Sequence, residues 1–349
     1  MDARMGRIAA NTSLKSSLFD LEEERLKAEI EKLGAKKVLI QLPEGLKPEG
    51  PRLAAVAEKA GVLAIVSADP CYGACDLALQ EAENLGADLI IHFGHSKMRL
   101  SPERVPIIYI EAKSTLSLET AVEKALPLLE PWKRIGLVTT VQHVDMLGEA
   151  REMLLRVGKS VTVGDAGRFM YAGQVTGCDY SNAKAVSRDV EAFLFIGGGR
   201  FHAIGVALAT SKPTVVTDPY EGRAFSVDTD AQKLRKQRWA SIHKAKESGR
   251  FGVIIGLKSG QKLMEKALQI RDRLEKAGKK TTLLALHEIT PDALMEFPTL
   301  GAYVNTACPR ISLDDATKFQ KPVLTPNEAL VVAGQLTWEQ LLRKGWFGD

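Results

Sequence analysis

No apolar stretch of this chain approaches the length needed to cross a bilayer; the longest, VEAFLFIGG and GVLAIVSA, are strand-sized. The N-terminal segment MDARMGRIAANTSLKSSLFDLEEERLKAEI lacks the uninterrupted apolar run of a signal peptide. It leads instead into an amphipathic helix with Leu26, Ile30 and Leu33 on one face. The expected compartment is therefore the cytoplasm. Cysteine is scarce, four in 349 residues, and in a reducing compartment so few thiols point to metal binding or catalysis rather than disulfides. A surplus of one charge is also missing. The net charge is +4, and no block of like charges interrupts the mixed Lys/Glu background, so no dedicated nucleic-acid or membrane patch is expected. A mildly basic surface suits an acidic protein partner. What the chain does have is apolar content, 45% hydrophobic residues, enough for one large core or two to three smaller ones.

Apolar, β-branched runs flanked by Gly and Pro recur in the same order three times. Each copy opens with a strand: KVLIQL from Lys37, RIGLVTT from Arg134 and FGVIIG from Phe251. A helical stretch ending in glycine follows (Gly61, Gly158, Gly278) and leads to a second strand; Glu-Lys-Ala-Gly even repeats outright at 58–61 and 275–278. Third strands (ADLIIHFGHS, VEAFLFIGGGRFH, LGAYVNTACPR) precede fourth strands that start near a proline (VPIIYI, KPTVVT, KPVLT). Alternating strands and helices predict an α/β fold of three homologous parallel-sheet domains, spanning 1–122, 123–240 and 241–349. Ligands bind at the carboxyl ends of strands in such sheets, and three domains about a pseudo-threefold centre would bring three sets of those loops together.

The cysteines fall in these loops. Cys71 and Cys75 lie in ADPCYGACDLA and Cys178 in YAGQVTGCDYSNA, each after a second strand, whereas Cys308 follows a third strand in NTACPRISLDD. Any one cysteine taken alone is most simply a small buried hydrophobe. One per domain, flanked by Gly, Asp and Pro, favours a shared cofactor. Structural zinc usually takes close Cys-x-x-Cys pairs, and none exists here. Three thiolates from distant loops instead resemble ligation of a [4Fe–4S] cluster with one iron open, since a complete protein set would be four cysteines. CYGAC superficially matches the first half of a radical-enzyme Cys-x-x-x-Cys-x-x-Cys motif, but Asp76, Leu77 and Ala78 follow Cys75, so Cys71 reads as a spare thiol.

Other residues at the same edges are candidate cofactor contacts. Gly197, Gly198 and Gly199 let the chain pass close to a ligand, and the helix amides beyond could hold a carboxylate or ribose. Arg200 and His202 add polar reach, although His202 fits a structural role equally well. HFGHS (His92 to Ser96) holds the equivalent place in the first copy. Gln41, Gln142 with His143, and Gln261 recur after first strands, where amide groups suit an amino acid or nucleoside. Arg310 could bind a carboxylate bidentately or pair with Asp314 or Asp315.

Taken together, YGACD, IHFGHS, GGGRFHA, TDPY, HEITPDAL and ACPRISLDDATKFQKPVLTP resemble the diphthamide biosynthesis family, from about residue 20 to about 335. The resemblance implies that Cys75, Cys178 and Cys308 hold a [4Fe–4S] cluster whose open iron binds S-adenosylmethionine. It implies radical cleavage of the bond from sulfur to the aminocarboxypropyl carbon, transfer of that group to imidazole C2 of a histidine on translation elongation factor 2, and release of 5′-methylthioadenosine. Gln41, Gly198, Gly199, Arg200, His202 and Arg310 are then the expected S-adenosylmethionine contacts. An archaeal-type homodimer served by an external low-potential electron donor is implied as well. Two other readings remain open: a quinolinate synthase-like enzyme, also three α/β domains around a cluster held by three cysteines, and a non-catalytic iron–sulfur electron-relay subunit.

Overall fold

Runs of β-branched and aliphatic residues too short for helices form the strands, and their burial on both faces requires parallel sheets covered by helices. The computed structural model describes residues 18–98 and 105–347. The extreme N-terminus falls outside them. The helix expected there is present at Glu23–Leu33, with Leu26 and Ile30 buried. Leu33 instead is exposed, in the last turn before the helix ends at Gly34.

Fifteen strands are described: β1 (Phe19–Asp20), β2 (Lys37–Gln41), β3 (Leu63–Val66), β4 (Leu89–Phe93), β5 (Ile107–Ile110), β6 (Lys113–Ser114), β7 (Arg134–Thr139), β8 (Ser160–Val163), β9 (Ala192–Ile196), β10 (Thr214–Asp218), β11 (Arg223–Ser226), β12 (Arg250–Gly256), β13 (Lys280–Leu286), β14 (Ala302–Asn305) and β15 (Val323–Leu324). The first large sheet has the order β3-β2-β4-β5 and the third β13-β12-β14-β15, both parallel throughout. The second is β8-β7-β9-β10 with the same parallel pattern, extended by antiparallel β11. Each sheet therefore places its second strand beside its first, then the third and fourth. β1 and β6 form a separate antiparallel pair. The protein is thus α/β with several mostly parallel sheets. Gly61, Gly158 and Gly278 have φ of 82°, 76° and 79°, the left-handed conformation expected where each helix gives way to the next strand.

Two expected boundaries fall inside helices. The one at 122 cuts helix Glu119–Leu129, whose Val122, Ala125 and Leu129 share a core with Ile135 and Leu137 of β7. This helix packs with the second sheet. The boundary at 240 cuts helix Asp228–Lys246, whose Ala231, Ile242 and Ala245 join Phe195 of β9 and Phe251 of β12 in one apolar cluster. The second and third sheets thus share a core, while the first has its own around Val38, Ile40, Leu89 and Phe93. Arg238 of the bridging helix is buried and ion-paired with buried Glu328 at 2.6 Å. Its Nη1 donates to the Ser312 carbonyl (2.6 Å) and its Nη2 to that of Val323 (2.9 Å), while Trp346 Nε1 donates to Glu328 (2.8 Å).

Candidate functional site

The carboxyl ends of all three large sheets open onto one cavity of about 790 Å³, and Cys75, Cys178 and Cys308 all line it. Cys75 arrives on the loop after β3 and Cys178 on the loop after β8. Cys308 precedes helix Pro309–Leu313 as its N-cap, and proline at the first helical position fixes where that helix begins. Asn305 Nδ2 donates to the Cys308 carbonyl at 2.6 Å and holds this turn against β14.

Polar clasps tie the three sheets together around the cavity. From the loop after β12, the Gly260 amide donates to the Cys75 carbonyl (2.8 Å), and Lys258 pairs with Asp76 (2.7 Å). Only glycine fits at 260: a Cβ there would lie 2.6 Å from Cys75 Cα. Gln142 Nε2 donates to the Gly94 carbonyl and Gln174 Nε2 to Ser96 Oγ, both at 2.7 Å, joining second sheet to first. Arg310 Nη2 donates to the Phe201 carbonyl at 3.0 Å, joining third to second.

Burial dominates the electrostatics. It pushes the Cys75 thiol up to about 11, partly opposed by Gln261 Nε2 donating to its sulfur at 3.5 Å and reinforced by nearby Cys178. Cys308 is pushed up to about 12 by burial, with Cys178 and Cys75 adding to the rise. Burial raises Cys178 too, against a hydrogen bond with Thr176. Each thiol is near enough to another for their charges to interact, so the three become thiolates together only when a cation neutralises them. His95, His143 and His202 also line the cavity, and burial lowers them to about 4, 4 and 3, leaving neutral imidazoles.

Several buried polar atoms at this cavity have no hydrogen-bond partner: His143 Nε2, Gln174 Oε1 and Arg310 Nη1. Arg310 lies 3.6 Å over the Phe201 ring, its Nη2 donates to Asp314 (2.8 Å) and its Nε sits 2.6 Å from the same carboxylate without a hydrogen bond, while Nη1 is a buried donor with no partner. Its neighbour Asp314 is raised to about 6 by burial, against the pull of Arg310. The donor set fits an iron–sulfur cluster: three thiols on one cavity, an N–H aimed at one sulfur, and no fourth cysteine among the lining residues.

Gly198, His202 and Arg310 line this cavity, but three other expected ligand contacts do not. Arg200 turns outward, half-exposed, to pair with Asp230 on the helix after β11 and stack on Phe225. The Gly199 amide points to Asp218 Oδ2, 3.4 Å away. Gln41 is buried behind the wall, its Nε2 donating to the Asp76 carbonyl (2.6 Å) and its Oε1 accepting from the Ala78 amide (3.2 Å). It shapes the Cys75 loop instead of meeting a ligand. Gln261 likewise reaches a sulfur. Gln174, Lys258 and Tyr220 also line the cavity; Tyr220 closes the TDPY segment and Gln174 lies in the Cys178 loop, but nothing in the sequence singled out either side chain, or Lys258, as a contact.

The diphthamide synthesis protein family matches residues 42–342. The 2-(3-amino-3-carboxypropyl)histidine synthase of Pyrococcus horikoshii is 39% identical over 319 residues, covering 91% of each chain. Subunit 1 of the Homo sapiens 2-(3-amino-3-carboxypropyl)histidine synthase is 30% identical, over 89% of this chain and 71% of the human protein. The crystal structure of Dph2 from P. horikoshii with a 4Fe-4S cluster superposes with a TM-score of 0.86 at 36% identity, covering 95% of both chains. A fold of the same three-sheet kind, one cavity walled by three thiols and a match along nearly the whole length agree: the chain is an enzyme of the diphthamide synthesis family.

Proposed function

We propose that the protein transfers the 3-amino-3-carboxypropyl group of S-adenosylmethionine to imidazole C2 of a histidine on translation elongation factor 2, releasing 5′-methylthioadenosine. This would be the first step of diphthamide biosynthesis. In this reading Cys75, Cys178 and Cys308, one from each of three repeated units about a pseudo-threefold centre, hold a [4Fe–4S] cluster by three irons. When bound, that cluster supplies the electron for radical cleavage of the carbon–sulfur bond. The chain's own contribution is orientation, which decides which bond of the sulfonium is presented. Arg310 Nη1, a buried donor without a partner, suits the carboxylate, and Gln174 Oε1, an acceptor without one, suits the ammonium. Gly198 leaves room beside Tyr220, and the neutral His202 ring walls the cavity without adding charge. The resemblance further supports a cytoplasmic homodimer served by an external low-potential electron donor.

The observation that carries this reading is the convergence of three cysteines, far apart in sequence, on one cavity. Anaerobic protein given dithionite, S-adenosylmethionine and elongation factor 2 should release 5′-methylthioadenosine and modify the factor. Release of 5′-deoxyadenosine, or full cluster loading in Cys178→Ser, would overturn it.

A further inference from the structure

Behind His95, in the wall of the cavity, lies a second group of metal-binding side chains. Ligand atoms of Cys71, His92 and His95 all lie within 4.8 Å of one another. Cys71 and His92 are buried, and neither lines the cavity, whereas His95 does. His92 lies near the end of β4 and His95 on the turn that leaves it, where Gly94 at φ 81° turns the chain and His92 Nε2 comes to 3.0 Å from His95 Nδ1. Cys71 comes from the other side, on the loop that also carries Cys75.

The surrounding hydrogen bonds prepare His92 as a ligand. Gln41 Oε1, 2.8 Å from His92 Nδ1, can only accept, and it already accepts from the Ala78 amide. Nδ1 must therefore carry the proton, which leaves a lone pair on Nε2, directed at the group. An outer hydrogen bond of this kind is what orients metal-binding histidines. Two zinc–nitrogen bonds at a tetrahedral angle set their nitrogens roughly 3.3 Å apart, close to the observed separation.

We propose that Cys71, His92 and His95 form a site for a single borderline-soft divalent metal ion, zinc(II) by ligand chemistry, distinct from the centre held by Cys75, Cys178 and Cys308. One sulfur and two imidazole nitrogens suit that ion, and three protein ligands leave a fourth position open. On binding, the Cys71 thiol loses its proton to solvent, and the proton held between the two rings moves to His95 Nε2. Charge balances: the dication and one new thiolate leave the group at +1. This inference does not depend on the reaction proposed above.

The test uses anaerobic protein with its cluster loaded. After equilibration with zinc chloride and desalting, zinc, iron and sulfide are measured together, and zinc-edge X-ray absorption reports the ligands. The expected result is about one retained zinc per chain with a sulfur–nitrogen shell and unchanged iron. Cys71→Ser and His92→Gln should lose the zinc and keep the iron. Zinc uptake matched by iron loss would mean that zinc occupies the cluster cysteines, and would overturn the proposal. So would no retained zinc in the wild type, or a shell in the wild type with no sulfur, a measurement that needs no variant to fold.

Discussion

Gln261 Nε2, on the loop after β12, donates to Cys75 Sγ across the seam between the third and first sheets, at 3.5 Å. A hydrogen bond to a sulfur stabilises its thiolate form and so favours both metal binding and reduction of the metal. Gln261→Leu should leave the fold intact, make the cluster harder to reduce, and slow 5′-methylthioadenosine release about tenfold. A redox titration followed by electron paramagnetic resonance checks the potential; an unchanged midpoint would remove the residue from the argument.

The glycine next to it has a steric role. Gly260→Ala brings a methyl against the backbone of the Cys75 loop and breaks a fit that no side-chain rotation can restore. The expected cost is about 1–3 kcal/mol of stability, with lower cluster content. Denaturant unfolding and iron analysis should show both changes, and normal iron loading would show that the loop tolerates displacement.

Arg310 offers a more selective test. Arg310→Gln removes the free buried donor, and a charge-assisted bond of about 1.5–3 kcal/mol should appear as weaker S-adenosylmethionine binding with iron content unchanged. Isothermal titration with the intact cluster reads the affinity, while thermal unfolding separates that effect from loss of the Asp314 pair.

Stability should fall on the acid side. His143 and His202 have folded values of about 4 and 3, below the ordinary 6.5. Between those values and 6.5 the unfolded chain binds more protons than the folded one. Their stabilisation is therefore full above pH 6.5 and is lost as pH falls towards 4, by on the order of 3 kcal/mol per ring. Urea unfolding of cluster-free protein from pH 7.5 to 4.5 should show this slope, and His143→Gln should flatten it.

Removing one partner of the buried pair exposes its structural role. Arg238→Met leaves Glu328 buried without its cation and should cost about 3–5 kcal/mol. Because Arg238 also holds the Ser312 carbonyl in the helix that follows Cys308, hydrogen exchange should rise there first.

The main strands were legible because their apolar, β-branched runs are bounded by glycine and proline, and all four strands of each repeat formed where expected. β11 was not, since Arg-Ala-Phe-Ser carries no alternation and is held by pairing with β10. The boundary expected at 122 falls inside a helix because that helix's apolar stripe says that it packs, not against which sheet. At the site, the cysteines stood out by their flanking residues. The direction of Arg200 and Gln41 depended on neighbours distant in sequence, Asp230 for one and the Cys75 loop for the other. Cys71 reads as a spare thiol in the sequence because no third cysteine follows Cys75, and its histidine neighbours, some twenty positions downstream, come beside it only in the fold.

The separate core of the first sheet has a mechanical consequence. The second and third sheets are welded by shared apolar packing, while the first carries Cys75 on a lobe joined to them largely by polar clasps at the cavity rim. An inorganic centre bound to all three thiols would rivet that lobe to the larger block. Oxygen damage to such a rivet would then loosen a hinge as well as silence a reaction, and proteases would meet the lobe before the block.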